Sequence, residues 1–199
     1  MTTDINKLFI IGADECGYGS WAHSVCVGAV KARKDWNMTG LNDSKKLSPK
    51  KREIMRQKIL TERYVEYHIA ERSNTYIDQV GIAVALKEAY VECFFMLYSW
   101  ECLVIVDGTL KFDDETNGLY HPKSIIKADT KIPTVMAASI LAKTYRDEQM
   151  RELHKQFPQY GWDQNAGYGV PVHRAAIEKF GLTPLHRMSY SPMKDMVKK

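Results

Sequence analysis

The 199 residues hold only four cysteines, Cys16, Cys26, Cys93 and Cys102, and no two of them form a CxxC pair. All four lie in or beside apolar runs, so neither a disulfide framework nor a thiolate zinc site is expected, and reduced, buried thiols are. No apolar run approaches the ~20 residues that a bilayer-crossing helix needs. The polar start, Met1-Thr2-Thr3-Asp4, lacks the apolar segment of a signal peptide. The resulting expectation is a cytoplasmic protein with no membrane association. Internal repeats, low-complexity tracts and linkers are missing as well, which points to one domain over residues 1–199, with a helical and loop segment from about residue 155. Charge of one sign is scarce: 28 Lys and Arg against 24 Asp and Glu leave a net +4, which permits an anionic partner without specifying one.

What is present is ordinary for a globular domain: 45% hydrophobic and 26% charged residues. Leu8-Phe9-Ile10-Ile11 and Val25-Cys26-Val27-Gly28-Ala29-Val30 read as buried strands, and Val65-Glu66-Tyr67-His68-Ile69 alternates as a third. Ser48-Pro49 caps and opens a helix that runs to about Glu62. Helical periodicity extends from about Thr75 to Trp100, with Gly81 as a break. A strand at Leu103–Asp107 and a polar excursion through Asn117-Gly118 follow. A further short strand precedes Asp129, and a long helix starts after Pro133 and reaches about His154. A last helix near Val172–Lys179 stops at Gly181. Early strands followed by strand and helix in alternation suggest an α/β fold, a mixed central sheet with flanking helices on both faces.

The chemistry concentrates at strand ends. Asp14 and Glu15 follow the first apolar run and precede Gly17-Tyr18-Gly19. Adjacent carboxylates repel and call for a cation, while glycine lets a ligand approach the backbone. Asp107-Gly108 ends a second apolar run, and Asp129 follows a third, Ile125-Ile126-Lys127-Ala128. Three acid-bearing strand ends can converge at one edge of a sheet, where α/β folds bind ligands. An acidic edge beside a permissive loop suits Mg²⁺-dependent phosphoryl transfer. Asp147, beside Arg146 on the long helix, reads as a member of a surface ion pair, and Asp113-Asp114-Glu115 reads as a solvated loop. Lys45 and Lys46 follow the small polar Asn42-Asp43-Ser44 and precede a helix start, a setting that favours phosphate contact. Lys127 and Lys143 flank the acids. Tyr168 lies between Gly167 and Gly169, unlike a core tyrosine.

These stretches occur in one order along the chain: Gly12-Ala13-Asp14-Glu15-Cys16-Gly17-Tyr18-Gly19, Leu41-Asn42-Asp43-Ser44-Lys45-Lys46-Leu47, Val106-Asp107-Gly108, Ile126-Lys127-Ala128-Asp129 with Ala137 through Asp147, Gly167-Tyr168-Gly169, and His186-Arg187-Met188-Ser189-Tyr190. Together they resemble the ribonuclease HII (type 2 ribonuclease H) family over nearly the whole chain. The resemblance implies a ribonuclease H-like fold and a hydrolytic endonuclease that cuts 5′ of ribonucleotides embedded in DNA and leaves a 5′-phosphate. It implies two-metal-ion catalysis with Mg²⁺ or Mn²⁺ held by Asp14, Glu15, Asp107 and Asp129. It implies substrate contacts from Gly17, Tyr18, Gly19, Lys45, Lys46 and Tyr168, and a monomer acting on RNA–DNA hybrids. The chain departs from the family pattern at three places. Tyr18 stands where Gly-Arg-Gly is usual, Ser20-Trp21-Ala22-His23-Ser24-Val25 replaces a Pro-Leu-Ala-Gly-Pro-Val-like segment, and Asn165-Ala166 replaces His-Lys. Positive charge is lost at the nucleic-acid face while the four acids stay. Two other readings compete: a hybrid-cutting nuclease with no junction preference, and a nucleic-acid-binding relative with weak catalysis.

Overall fold

The computed structural model describes residues 8–196. Five strands, β1 (Phe9–Cys16), β2 (Val25–Arg33), β3 (Glu66–Arg72), β4 (Cys102–Asp107) and β5 (Lys123–Ile125), form one sheet in the order β3-β2-β1-β4-β5. β1 runs antiparallel to β2 and parallel to β4, and β4 runs parallel to β5. The register pairs Ala13 with Val106, so Asp14 and Asp107 leave the ends of neighbouring parallel strands.

Helix α1 (Pro49–Thr61) begins where Ser48 accepts a hydrogen bond from the Lys51 amide, with proline in the first turn. α2 (Asn74–Val80) and α3 (Ile82–Leu97) are divided at Gly81, whose φ of 84° suits glycine. α4 (Asp114–Tyr120) is followed by β5, and α5 (Pro133–Gln156) is the longest helix. The C-terminal segment adds α6 (Trp162–Asn165), α7 (Pro171–Phe180), which stops at Gly181, and α8 (Met193–Met196). Among the described residues no helix is long and apolar enough to cross a membrane.

The sheet has a helix layer on each face, as its alternating pattern requires. Ile11, Ala13, Val104 and Val106 point into a core completed by Ala85, Ala89, Tyr90 and Phe94 of α3. On the opposite face α5 lies directly against β1 and β2. A Cβ at Gly28 would sit 2.5 Å from the Ala138 carbonyl oxygen, so only glycine admits the helix this close. That contact lets α5 lie close beside the acid-bearing edge of the sheet.

Two local expectations need correction. Asp113-Asp114-Glu115 is not a loop: Asp113 accepts from the Thr116 amide at 2.8 Å and caps α4, which also takes in Asn117 and Gly118. The strand before Asp129 ends at Ile125. Ile126 is exposed, Lys127 takes a left-handed φ of 58°, and Asp129 lies on a 3₁₀ turn, Ala128–Thr130.

Candidate active site

The pleat of β1 separates its two acids. Successive side chains leave a strand on opposite faces, so Asp14 turns toward α5 with Gly12, while Glu15 turns toward α3 with Ala13. Asp14 is buried and faces the Ser139 hydroxyl of α5. Its pKa is raised to about 7, first by burial and then by the neighbouring charges of Asp107 and Glu15, against the favourable hydrogen bonds from Ser139 and the Glu15 amide. Burial raises Glu15 as well, opposed by the Tyr18 amide and by Lys45, Arg146 and Arg187.

Asp107 ends β4 and binds the next acidic segment through its backbone. Its Oδ1 accepts from the Ala128 amide at 2.7 Å and from the Asp129 amide at 3.4 Å. That link brings Asp129 to the strand edge without a strand of its own. Asp129 is buried, and its pKa is raised by burial and by the charges of Asp107 and Asp43. The Lys45 ammonium lies 4.0 Å from Asp129 Oδ2. Burial tends to lower the Lys45 pKa, but attraction to Asp14, Asp129, Asp43 and Asp107 carries it up. The four sequence-predicted acids and Lys45 therefore share one electrostatic neighbourhood. Lys46 is exposed, three residues after the buried Asp43. Lys143 is 2.7 Å from Asp147, which also meets Arg52 at 3.4 Å, so Lys143 and Asp147 are structural partners of each other.

The glycine loop is held from beneath. Arg187 donates all five of its N–H groups: to the carbonyls of Gly17, Tyr18, His23 and Ser24 at 2.7–2.9 Å and to the Tyr190 hydroxyl at 3.0 Å. Arg146 binds Ser20, Ala22, Ser24 and Ala166 in the same way. Both arginines are fully buried, so Arg146 is not on the helix surface beside Asp147. Tyr168 reaches this loop through a bridge to Ser20, and the Gly17 amide lies against its hydroxyl. Burial and the nearby Cys16 push the Tyr168 phenol to about 12, so it remains a neutral donor. Tyr18 and Gly19 stay exposed. Asn165, at the position where the family pattern has histidine, shapes the turn by accepting from the Gly167 amide at 2.8 Å.

Four positions lie within the family-like stretches but were given no role of their own from the sequence. Asp43 fits a polar turn and Ser139 fits a helix interior. Arg146 and Arg187 could be surface charges, because the carbonyls they bind are supplied by distant segments. One trace exists for Arg146: it falls at four-residue spacing on the buried stripe Ala138, Ala142, Met150.

The donor set is all oxygen. Cys16, the nearest thiol, is buried with its pKa pushed up to about 11 and stays protonated. Clustered carboxylates, with Asp14, Glu15 and Asp129 raised in pKa, fit a hard divalent cation of the Mg²⁺ or Mn²⁺ class. Among the described residues no three His, Cys, Asp or Glu side chains are already closed around an ion position. The carboxylates instead spend hydrogen bonds on the amides of Glu15, Tyr18 and Ala128. An open acidic edge of this kind leaves room for phosphate oxygens and water in the coordination shell.

The family model described as Ribonuclease HII matches residues 11–193. The Ribonuclease HII of Helicobacter pylori (strain G27) is 40% identical over 187 residues, covering 92% of this chain and 91% of its own length. The RNase HII in a PCNA complex from Archaeoglobus fulgidus superposes with a TM-score of 0.79 at 26% identity, over 92% of this chain and 96% of its own. A Bst-RNase HIII solved in complex with Mn²⁺ shares the fold, with a TM-score of 0.72 at 18% identity over 96% of this chain and 70% of its own. An acidic sheet edge, a clamped glycine loop and these likenesses lead to one conclusion: the chain belongs to the ribonuclease HII family of ribonuclease H-type endonucleases that act on RNA–DNA.

Proposed function

We propose that Asp14, Glu15, Asp107 and Asp129 hold divalent metal, Mg²⁺ or Mn²⁺, and hydrolyse the phosphodiester 5′ of a ribonucleotide embedded in duplex DNA. The observation that carries this is the upward shift of Asp14 to about 7 amid Asp107 and Glu15. A buried acid among acids is stable as an anion only with a cation beside it.

When bound, the metal supplies an activated water and charge compensation for the leaving oxyanion. The chain's own groups do the rest. Asp107 fixes the Asp129 segment through the Ala128 and Asp129 amides, and the Ser139 hydroxyl orients Asp14. Lys45, anchored toward Asp129, and Lys46 offer cations to the substrate backbone. Gly17, Tyr18 and Gly19 present backbone to the ribose, because the Gly17 and Tyr18 carbonyls are drawn down to Arg187. The Tyr168 hydroxyl, protonated at neutral pH, donates near the 2′-hydroxyl, the one group that separates RNA from DNA. Its ring can pack against the following deoxyribose and exclude a second 2′-hydroxyl there.

The test is Asp107→Asn assayed with Mg²⁺ and with Mn²⁺ on a labelled duplex. Loss of at least about a hundredfold in turnover, with an unchanged circular dichroism spectrum, supports the ligand role. Cleavage at the unsubstituted rate refutes it.

A further inference from the structure

Glu15 and Asp107 border a second feature that the proposed chemistry does not use. A cavity of about 520 Å³ opens on the α3 side of the sheet edge, lined by these two acids together with Tyr18, Tyr90, Lys87 and Lys111. Its position follows from the pleat: Glu15 points toward α3, and α3 carries Lys87 and Tyr90. Tyr90 is buried and forms the floor. Lys111 reaches the rim from the segment after β4, and the Tyr18 ring, 45% exposed, stands at the mouth.

Lys87 lends favourable charge to Asp113 at a distance, and Lys111 has no such role among the described residues. Within the described residues neither forms an ion pair. The nearby Asp113 is occupied in capping α4 through the Thr116 amide, and Glu88, next to Lys87, is engaged by Arg72 and the Tyr76 hydroxyl. Nor are they the leading counter-charges of the acidic edge, since Glu15 feels Lys45, Arg146 and Arg187 first. Lys45 guards the Asp129 side of the acids and does not line this cavity. Two cations that form no direct ion pair among the described residues and an exposed aromatic ring, adjacent to the acidic edge, match the two components of a single-strand track: charge for the backbone and a ring for a base or sugar.

We infer that this cavity binds the cleaved strand beyond the scissile phosphate, with Lys87 and Lys111 on the flanking backbone phosphate and the Tyr18 ring against the adjoining nucleotide. The inference rests on the nuclease reading above and extends its substrate site. It also gives the departure at position 18 a physical sense. The charge absent at the loop is supplied by the two lysines across the cavity, and the loop contributes stacking surface.

The test measures binding without cleavage. The full chain and the Lys87→Ala/Lys111→Ala variant are titrated in EDTA against a fluorescein-labelled RNA–DNA duplex over a salt series, with melting temperature as a check on folding. The slope of log affinity against log salt should fall by about one in the variant, the loss of one phosphate contact. Tyr18→Ala should weaken binding at every salt concentration without changing the slope, and Tyr18→Phe should restore it. Shortening the cleaved strand so that it ends before the flanking phosphate should abolish the difference between the variant and the parent. An unchanged slope, or a difference that persists on the shortened strand, overturns the cavity assignment while leaving the nuclease reading intact. A parent protein that binds no duplex in EDTA overturns the cavity assignment, and one that also cleaves none with Mg²⁺ or Mn²⁺ overturns both.

Discussion

The guanidinium of Arg187 donates to the carbonyl oxygen of Gly17 at 2.7 Å, across 170 residues of sequence. This bond belongs to a fork in which every N–H of a buried arginine meets an acceptor, and four of the five acceptors lie in the loop between β1 and β2. The loop that faces the substrate is thereby set by the C-terminal segment. Lysine keeps the charge but offers three donors on a flexible stem in place of a planar fork. Arg187→Lys should destabilise the fold by about 3 kcal/mol, the scale of a buried charge left incompletely hydrogen-bonded. Urea unfolding followed by fluorescence measures this, and a loss below about 1 kcal/mol would show that the loop does not depend on the fork.

Asp14 has opposite consequences with and without metal. Its carboxyl titrates at about 7 in the folded chain against 3.8 when exposed. Between those values the unfolded chain has released its proton and the folded chain still holds it, so this group's contribution to stability falls as pH rises from about 4 to about 7. In EDTA, Asp14→Asn should therefore exceed the parent at pH 7.5 by up to about 4 kcal/mol, and the gap should close toward pH 4. Mn²⁺ should stabilise the parent and leave the variant unmoved. Thermal melts at several pH values, with and without metal, check all three.

A buried histidine pair responds to acid. The Thr183 amide donates to His186 Nδ1 at 2.9 Å, so the His186 proton sits on Nε2 and is donated to His173 Nε2 at 3.2 Å. Trp162 donates to that same His173 nitrogen at 3.1 Å, which leaves the His173 proton on Nδ1, facing the Tyr168 carbonyl at 3.0 Å. No nitrogen is free to take a further proton. Burial, with the neighbouring His173, lowers His186 from 6.5 to about 4. The unfolded chain therefore binds the extra proton first, and stability is present above pH 6.5 and lost as pH falls toward 4. His186→Phe should be less stable than the parent at pH 7. The gap should narrow by about 2 kcal/mol at pH 5, and a pH-independent gap would mean that the ring is not held neutral.

The parts of this architecture that were legible in the sequence are those governed by neighbours in the chain. The apolar run into Asp14, the run into Asp107, the Ser48-Pro49 helix start and the Gly81 break each follow from local periodicity or backbone freedom, and each is found. Asp129 was legible as an acid of the site by its resemblance to a family motif, but not as part of a turn. Its apolar neighbour Ile126 mimics a buried strand, yet β5 is only three residues long and Ile126 is exposed. The α4 helix was hidden because its acids are capping residues, and Asp113 through Glu115 without apolar spacing resemble a solvated loop. The arginine clamps were hidden for a different reason. Their partners are backbone carbonyls from the other end of the chain, and a carbonyl carries no residue identity to read.

The most direct measurement compares two labelled duplexes incubated with the protein and Mg²⁺ or Mn²⁺. One contains a single ribonucleotide in a DNA strand, and the other a continuous RNA strand against DNA. The expected result is incision 5′ of the single ribonucleotide, leaving a 3′-hydroxyl and a 5′-phosphate, with EDTA abolishing it. Tyr168→Ala should lose about tenfold more activity on the single ribonucleotide than on the continuous strand, as expected for a residue reading a 2′-hydroxyl through one hydrogen bond and ring packing. No incision of either duplex with metal present would contradict the account, and equal losses on the two substrates would reduce Tyr168 to a structural role.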